Sequence, residues 1–205
     1  MTNAWPSVAV RETRESGREL SLEDWLSLDE DEAGEWIDGV LVEEEAPDYT
    51  HELTISWLIR AVGFWLSGRG YLVGSETKVL TTPRSGRRPD LSLILPGSRP
   101  PPATGPLRSA PDVVVEVVTP TPRDERRDRI EKLDEYASFG VRYYWLVDPA
   151  LSAFEIFERT AQGNYQRLVG VTSGRIESVP GCSGLVLDVD ALWAELARNS
   201  DPPRC

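Results

Sequence analysis

Two carboxylates and a lysine carry the chemistry of this chain: Asp90, Glu116 and Lys132. Asp90 closes Arg87-Arg88-Pro89-Asp90 at the mouth of the apolar run Leu91-Ser92-Leu93-Ile94-Leu95. Glu116 sits inside Asp112-Val113-Val114-Val115-Glu116-Val117-Val118. A lone ionised carboxylate in so apolar a run is costly to bury, so Glu116 needs a cation, a donor or an edge position. A divalent metal shared with Asp90 meets that need, as in a metal-dependent nuclease site. A salt bridge to Arg87, Arg88 or Arg126 meets it as well, and the residues alone leave both readings open.

Of the 22 basic residues only Lys78 and Lys132 are lysine. A compact ammonium can point at a phosphate or a water as a single charge, whereas guanidinium is planar, forked and permanently charged. Lys132 is therefore a candidate for work on the nucleophile, with Lys78 as the fallback. The plainer reading of Lys132 is a solvated helix face, because Asp128, Lys132 and Tyr136 are four apart and Asp128 with Lys132 is an ordinary stabilising pair. His51, the one histidine, opens a helix and caps it, packs there or serves catalysis. Glu35 and Glu52 are candidate auxiliary carboxylates.

The elements that must position these groups can be read from the pattern. Ser21-Leu22-Glu23-Asp24-Trp25-Leu26 has the N-cap and acid of a helix start, and Glu35 to Val42 reads as strand, Asp-Gly turn, strand. Leu53, Trp57, Leu58, Ala61, Val62, Trp65 and Leu66 form the stripe of a long amphipathic helix. Strands are expected near 71–81, 90–95 and 112–118, with a Pro/Gly/Ser-rich loop over 96–111. A helix over 124–139, strands at 143–148, 153–158 and 164–169, and a terminal helix over 189–198 complete the series. We expect residues 1–18 to be a flexible arm, 19–198 one α/β domain built on a mixed sheet flanked by helices, and 199–205 a disordered tail.

The formal charge of −12 is concentrated at one end: residues 1 to 50 hold 15 acidic and 3 basic residues, and the rest of the chain 19 of each. Any nucleic acid is then expected to bind weakly and with strong salt dependence. The alternating run Arg123-Asp124-Glu125-Arg126-Arg127-Asp128-Arg129 is a weak nucleic-acid signal. No apolar stretch reaches the roughly 18 residues of a membrane span, and no signal-peptide core opens the sequence, so the expected location is cytoplasmic.

Arg88-Pro89-Asp90, Pro111-Asp112-Val113-Val114-Val115-Glu116-Val117, Asp128 with Lys132 and Tyr136, and Gly140-Val141-Arg142-Tyr143-Tyr144-Trp145-Leu146-Val147-Asp148-Pro149 together resemble the Uma-two family of restriction endonuclease-like proteins. That family lies within the PD-(D/E)XK nuclease superfamily. Glu35-Trp36-Ile37-Asp38-Gly39 and His51 also look like its N-terminal half. The resemblance implies a restriction endonuclease-like fold with an N-terminal helix and hairpin, Asp90 and Glu116 as ligands of Mg²⁺ or Mn²⁺, and DNA as substrate. The superfamily's lysine normally stands two residues after the glutamate, where this chain has Val118. The chain instead resembles a version in which the lysine has moved to the next helix, as Lys132, with Thr119-Pro120-Thr121 where that family usually has a serine. A homodimer is expected. Two other classes stay open: a catalytically inactive binding or regulatory module, and a structural homodimer whose partner surface uses Trp5, Trp25 or Trp193.

Overall fold

The computed structural model describes residues 17–28, 34–43, 47–75, 77–121 and 126–200. Strand β1 (Arg18–Glu19) leads to helix α1 (Leu22–Leu26), where Ser21 and Asp24 form the expected reciprocal capping box. Strands β2 (Gly34–Ile37) and β3 (Val40–Glu43) turn on Asp38 and Gly39, both at positive φ (52° and 89°), as a two-residue hairpin loop requires. Asp48 caps helix α2 (Tyr49–Leu66) by accepting from the His51 amide. Strands β4 (Tyr71–Gly74), β5 (Val79–Thr82), β6 (Ser85–Arg87), β7 (Leu91–Ile94) and β8 (Val113–Val117) follow. A π-helical turn over Arg127–Glu131 then runs into helix α3 (Lys132–Phe139). The chain ends with β9 (Tyr143–Asp148), β10 (Ala153–Arg159), β11 (Tyr165–Val171), the short pair β12 (Arg175–Ile176) and β13 (Leu187–Asp188), and helix α4 (Val189–Ser200).

Among the described residues the strands form two main sheets rather than one. The larger has the order β11-β10-β9-β8-β7-β4, with β8 parallel to β9 and the other neighbours antiparallel. The smaller is antiparallel, in the order β1-β3-β2-β6-β5. Alternation along β8 and β9 gives the larger sheet two apolar faces. Val113, Val115, Val117, Trp145 and Val147 pack with Ile55, Leu58 and Val62 of α2 and Leu192 of α4, whereas Val114, Tyr144 and Leu146 pack with Tyr136 of α3. The observed fold is thus mixed α/β with helices on both faces of its central sheet.

Several expectations need amendment. The strand region expected over 71–81 is two strands in different sheets, because Val79 and Leu80 are drawn away from β4 to bury against Leu107 and the Trp25 cluster. Trp25 is fully buried and stacked on Trp36 at 6.1 Å, so it forms no partner surface. Trp193 is half-buried with its Nε1 donating to the Thr172 carbonyl, and Trp5 lies outside the described residues. Of the arm, residues 1–16 lie outside them too, while Arg18 pairs with Leu41. Helix α4 continues to Ser200, and residues 201–205 of the expected tail are outside the described set.

Candidate active site

The strand register brings Asp90 and Glu116 together. In the antiparallel β7–β8 pair Leu91 faces Val115, and continuing one residue past the end of β7 sets Asp90 opposite Glu116. Directly opposed residues on neighbouring strands have Cβ atoms about 4.5–5.5 Å apart. The Val117 amide donates to Asp90 Oδ2 at 2.7 Å, which ties Asp90 to the end of β8. Glu116 shares its face of β8 with Val114, so it points toward α3 and is 2 % exposed.

Helix α3 and its π-helical turn supply the partners. Lys132 Nζ donates to Glu116 Oε2 at 3.0 Å and lies 3.3 Å from Asp128 Oδ1, and the Tyr136 hydroxyl donates to Glu116 Oε1 at 2.8 Å. The Asp128 pair expected from the four-residue spacing is present, but Lys132 is 3 % exposed, so it does not lie on a solvated face. Burying an ammonium is costly alone, which is why it sits among carboxylates. Glu116 is salt-bridged, though to Lys132. Arg87 pairs with Glu35 and Glu135 instead, and Arg126 lies 3.4 Å from Glu131.

The smaller sheet adds a third side. Glu35 on β2 is fully buried, with its Oε1 3.5 Å from Lys132 Nζ and its Oε2 accepting from Arg87 Nη1 at 2.7 Å. Arg87 ends β6 and also donates from Nε to Glu135 at 2.9 Å, while Thr81 on β5 bonds Glu135 as well. The cluster therefore locks α3 between the two sheets.

Electrostatics divide the carboxylates. Burial pushes Glu35 up, but Lys132 and Arg87 outweigh it and hold its carboxyl down at about 2. Burial pushes Glu116 well above the usual carboxylate range; Lys132 opposes this, and Asp90 and Asp128 reinforce it. Asp128 is raised for the same reasons, with Glu35 and Asp90 as the reinforcing charges. The difference is arginine: Arg87 and Arg127 act on Glu35 beside Lys132, whereas Lys132 is the main cation opposing burial at Glu116 and Asp128. Lys132 itself is held well above the ordinary lysine value, burial opposing and the Glu116, Glu35 and Asp128 charges prevailing.

His51 is buried at the start of α2, its Nε2 3.3 Å from Asp90 Oδ2. Burial lowers its pKa, and the bond to Asp90 together with the Glu52 charge raises it further than burial lowers it. Glu52 is exposed, 3.6 Å from His51 Nδ1. Lys78 is elsewhere: its Nζ donates to the Trp25 and Leu26 carbonyls at 2.7 and 3.2 Å, at the end of α1. Sequence reasoning missed Glu135 and the bridging role of Arg87. Glu135 stands three residues beyond Lys132 on the same helical stripe, which is the signal that could have found it.

The Uma2 family model, described as "Putative restriction endonuclease", matches residues 21–190. A crystal structure from Anabaena variabilis ATCC 29413, described as "a putative nuclease belonging to DUF820", is similar in fold, with a TM-score of 0.68 at 17% identity over 86% of this chain and 99% of that one. No curated protein matches the chain.

Proposed function

The chain belongs to the Uma2 family, and on that premise we propose that it is an endonuclease hydrolysing phosphodiester bonds in DNA, with Mg²⁺ or Mn²⁺ held by Asp90 and Glu116. The observation that carries this reading is charge: among the described residues Glu35, Asp90, Glu116, Asp128 and Glu135 crowd around Lys132, Arg87 and Arg127, and burial raises two of the carboxylates by more than Lys132 offsets. Among the described residues no three His, Cys, Asp or Glu side chains converge at ligand spacing. Two hard carboxylates on adjacent strands nevertheless suit Mg²⁺, which keeps waters and substrate phosphate in its remaining positions. The cation supplies Lewis acidity and a lowered pKa for the attacking water. Asp90, with its side chain 15 % exposed, is the more open of the pair. Lys132 orients the nucleophile or balances charge on the phosphorus, and Tyr136 and the Val117 amide fix the carboxylates that hold the cation.

DNA binding in this reading is weak and salt-sensitive, given the acidic N-terminal quarter. A homodimer belongs to the same proposal, with the terminal strands β4 and β11 of the larger sheet as its available edges. No described helix is long and apolar enough to cross a membrane, and a cytoplasmic location is part of the proposal.

The test is calorimetric titration of Mn²⁺ into the wild type, Asp90→Ala and Glu116→Ala, with plasmid cleavage measured alongside. Both variants should lose binding and cleavage, and unchanged affinity in both would refute the assignment. A second reading, a nuclease fold without turnover, is favoured by Lys132 and Tyr136 holding both oxygens of Glu116. A wild type that binds no Mn²⁺ would identify it.

A further inference from the structure

Glu35 belongs to a different sheet from Asp90 and Glu116, yet it touches the lysine that touches Glu116. An ammonium has three N–H donors, and among the described residues three carboxylates lie around Lys132: Glu116 at 3.0 Å, Asp128 at 3.3 Å and Glu35 at 3.5 Å. Asp128 rides on the same helix as Lys132 and moves with it. Glu116 and Glu35 are fixed by opposite sheets, so the ammonium is shared across the seam between them. A cation at Glu116 competes with this ammonium for the charge on Oε2 and with the Tyr136 hydroxyl for that on Oε1.

We infer that Glu35 is a positioning residue: from the smaller sheet it shares the Lys132 ammonium that Glu116 accepts from, and so weakens the hold on Glu116 with which a divalent cation must compete. Its own placement suits that role. Arg87 Nη1 at Oε2 and the Arg88 amide, 3.4 Å from Oε1, anchor the carboxylate without help from Lys132. The Arg87 guanidinium is in turn braced by Glu135, so the arm that reaches Lys132 is rigid.

The inference rests on the cation reading of Asp90 and Glu116, and two measurements separate the failure of one from the failure of the other. In the first, Mn²⁺ is titrated into the wild type, Glu35→Gln, Lys132→Met and the double variant. Glu35→Gln should weaken Mn²⁺ about tenfold, the scale of a residue that supports a metal ligand from behind. With Lys132→Met the same change should alter affinity less than about twofold, since nothing is left for Glu35 to share. An equal loss in both backgrounds would make Glu35 a ligand or a general support, and no loss in either would leave it without influence on the site; each result overturns the inference. Where Lys132→Met does not fold, Lys132→Gln serves the same comparison.

The second measurement needs no metal. The coupling between Lys132 and Glu116 is read from urea unfolding in chelator of Lys132→Met, Glu116→Gln and their combination, with and without Glu35→Gln. Neutralising Glu35 should strengthen that coupling on the order of fivefold as an equilibrium constant, as the ammonium settles on Glu116. Unchanged coupling overturns the inference whether or not the wild type binds Mn²⁺, and a wild type that binds none counts against the cation reading alone.

Discussion

Replacing Lys132 by methionine is the most demanding test of how the cluster is held. The side chain is 3 % exposed and stands within 3.5 Å of Glu116, Asp128 and Glu35, so the variant keeps the volume and takes the ammonium from three buried carboxylates. Removing one partner of a buried ion pair costs about 3–5 kcal/mol, because the remaining charge is uncompensated. Arg87 still holds Glu35, so the cost falls on Glu116 and Asp128. With a urea m-value near 2 kcal/mol/M, the midpoint should fall by roughly 2 M at pH 7. The pH dependence follows from the direction of the shifts. Burial already raises Glu116 and Asp128 with Lys132 opposing, and losing Lys132 raises them further. A carboxyl raised in the folded state favours folding fully below its unfolded value, near 4.5 for Glu116, and that contribution disappears as pH rises through the folded value. The deficit of Lys132→Met relative to the wild type should therefore shrink between pH 7 and pH 4.5. Urea unfolding monitored by tryptophan fluorescence across that range decides the matter. A loss under about 1 kcal/mol at pH 7, the scale of an exposed pair, or a deficit that does not shrink on acidification, would refute the idea that one buried ammonium holds the group.

Two further outcomes follow from packing. A methyl at Gly86 would sit 2.5 Å from Cζ3 of the buried Trp25 ring, so Gly86→Ala should destabilise by about 1–3 kcal/mol, as overpacking does; an unchanged thermal midpoint would show that α1 can shift to accept it. Cys182 is fully buried, and burial with the Asp112 charge raises its thiol to about 12 from an ordinary 9. The protonated thiol favours folding below pH 9 and loses that contribution as pH rises toward 12. Cys182 should resist a disulfide reagent until the chain unfolds, and rapid native labelling at that residue would contradict the burial.

Much of the frame was legible because local chemistry and tertiary need agree. Ser21 with Asp24, Asp38-Gly39 and the apolar stripe of α2 each specify a geometry within a few residues, and each forms as read. The valine run with one acid gives β8 and the buried Glu116 for the same reason. Illegible were choices that depend on distant partners. Nothing local tells Val79 and Leu80 to leave the larger sheet, since the cause is burial against Leu107 and Trp25, up to 55 positions away. Glu35 could be weighed as an acid near the site, but its contact with Lys132 comes from two sheets meeting over α3. The valine surroundings of Glu116 admit either a metal or a salt bridge as its partner. The structure pairs it with Lys132 and gives its second oxygen the Tyr136 hydroxyl.

The helix that carries Lys132 explains how a lysine absent from β8 can still reach Glu116. In the turn Arg127–Glu131 the Lys132 amide donates to the Arg127 carbonyl, five residues back, which widens the helix where α3 begins. The buried Tyr144 hydroxyl, projecting from β9, donates to the Asp128 carbonyl at 2.9 Å within that turn. A side chain inserted into the helical ladder is an established cause of such widening, and widened turns recur at functional sites. Beyond the turn the ordinary four-residue repeat resumes, so Lys132 and Tyr136 fall on one stripe and each takes one oxygen of Glu116. The parallel pairing of β8 and β9 sets Glu116 beside Leu146 and Val114 beside Tyr144, so the strand that bears the acid is in register with the strand whose tyrosine shapes the helix above it. Position along β8 is thus converted into position on α3 through one hydroxyl, and Val118 is free to remain in the apolar core at 2 % exposure.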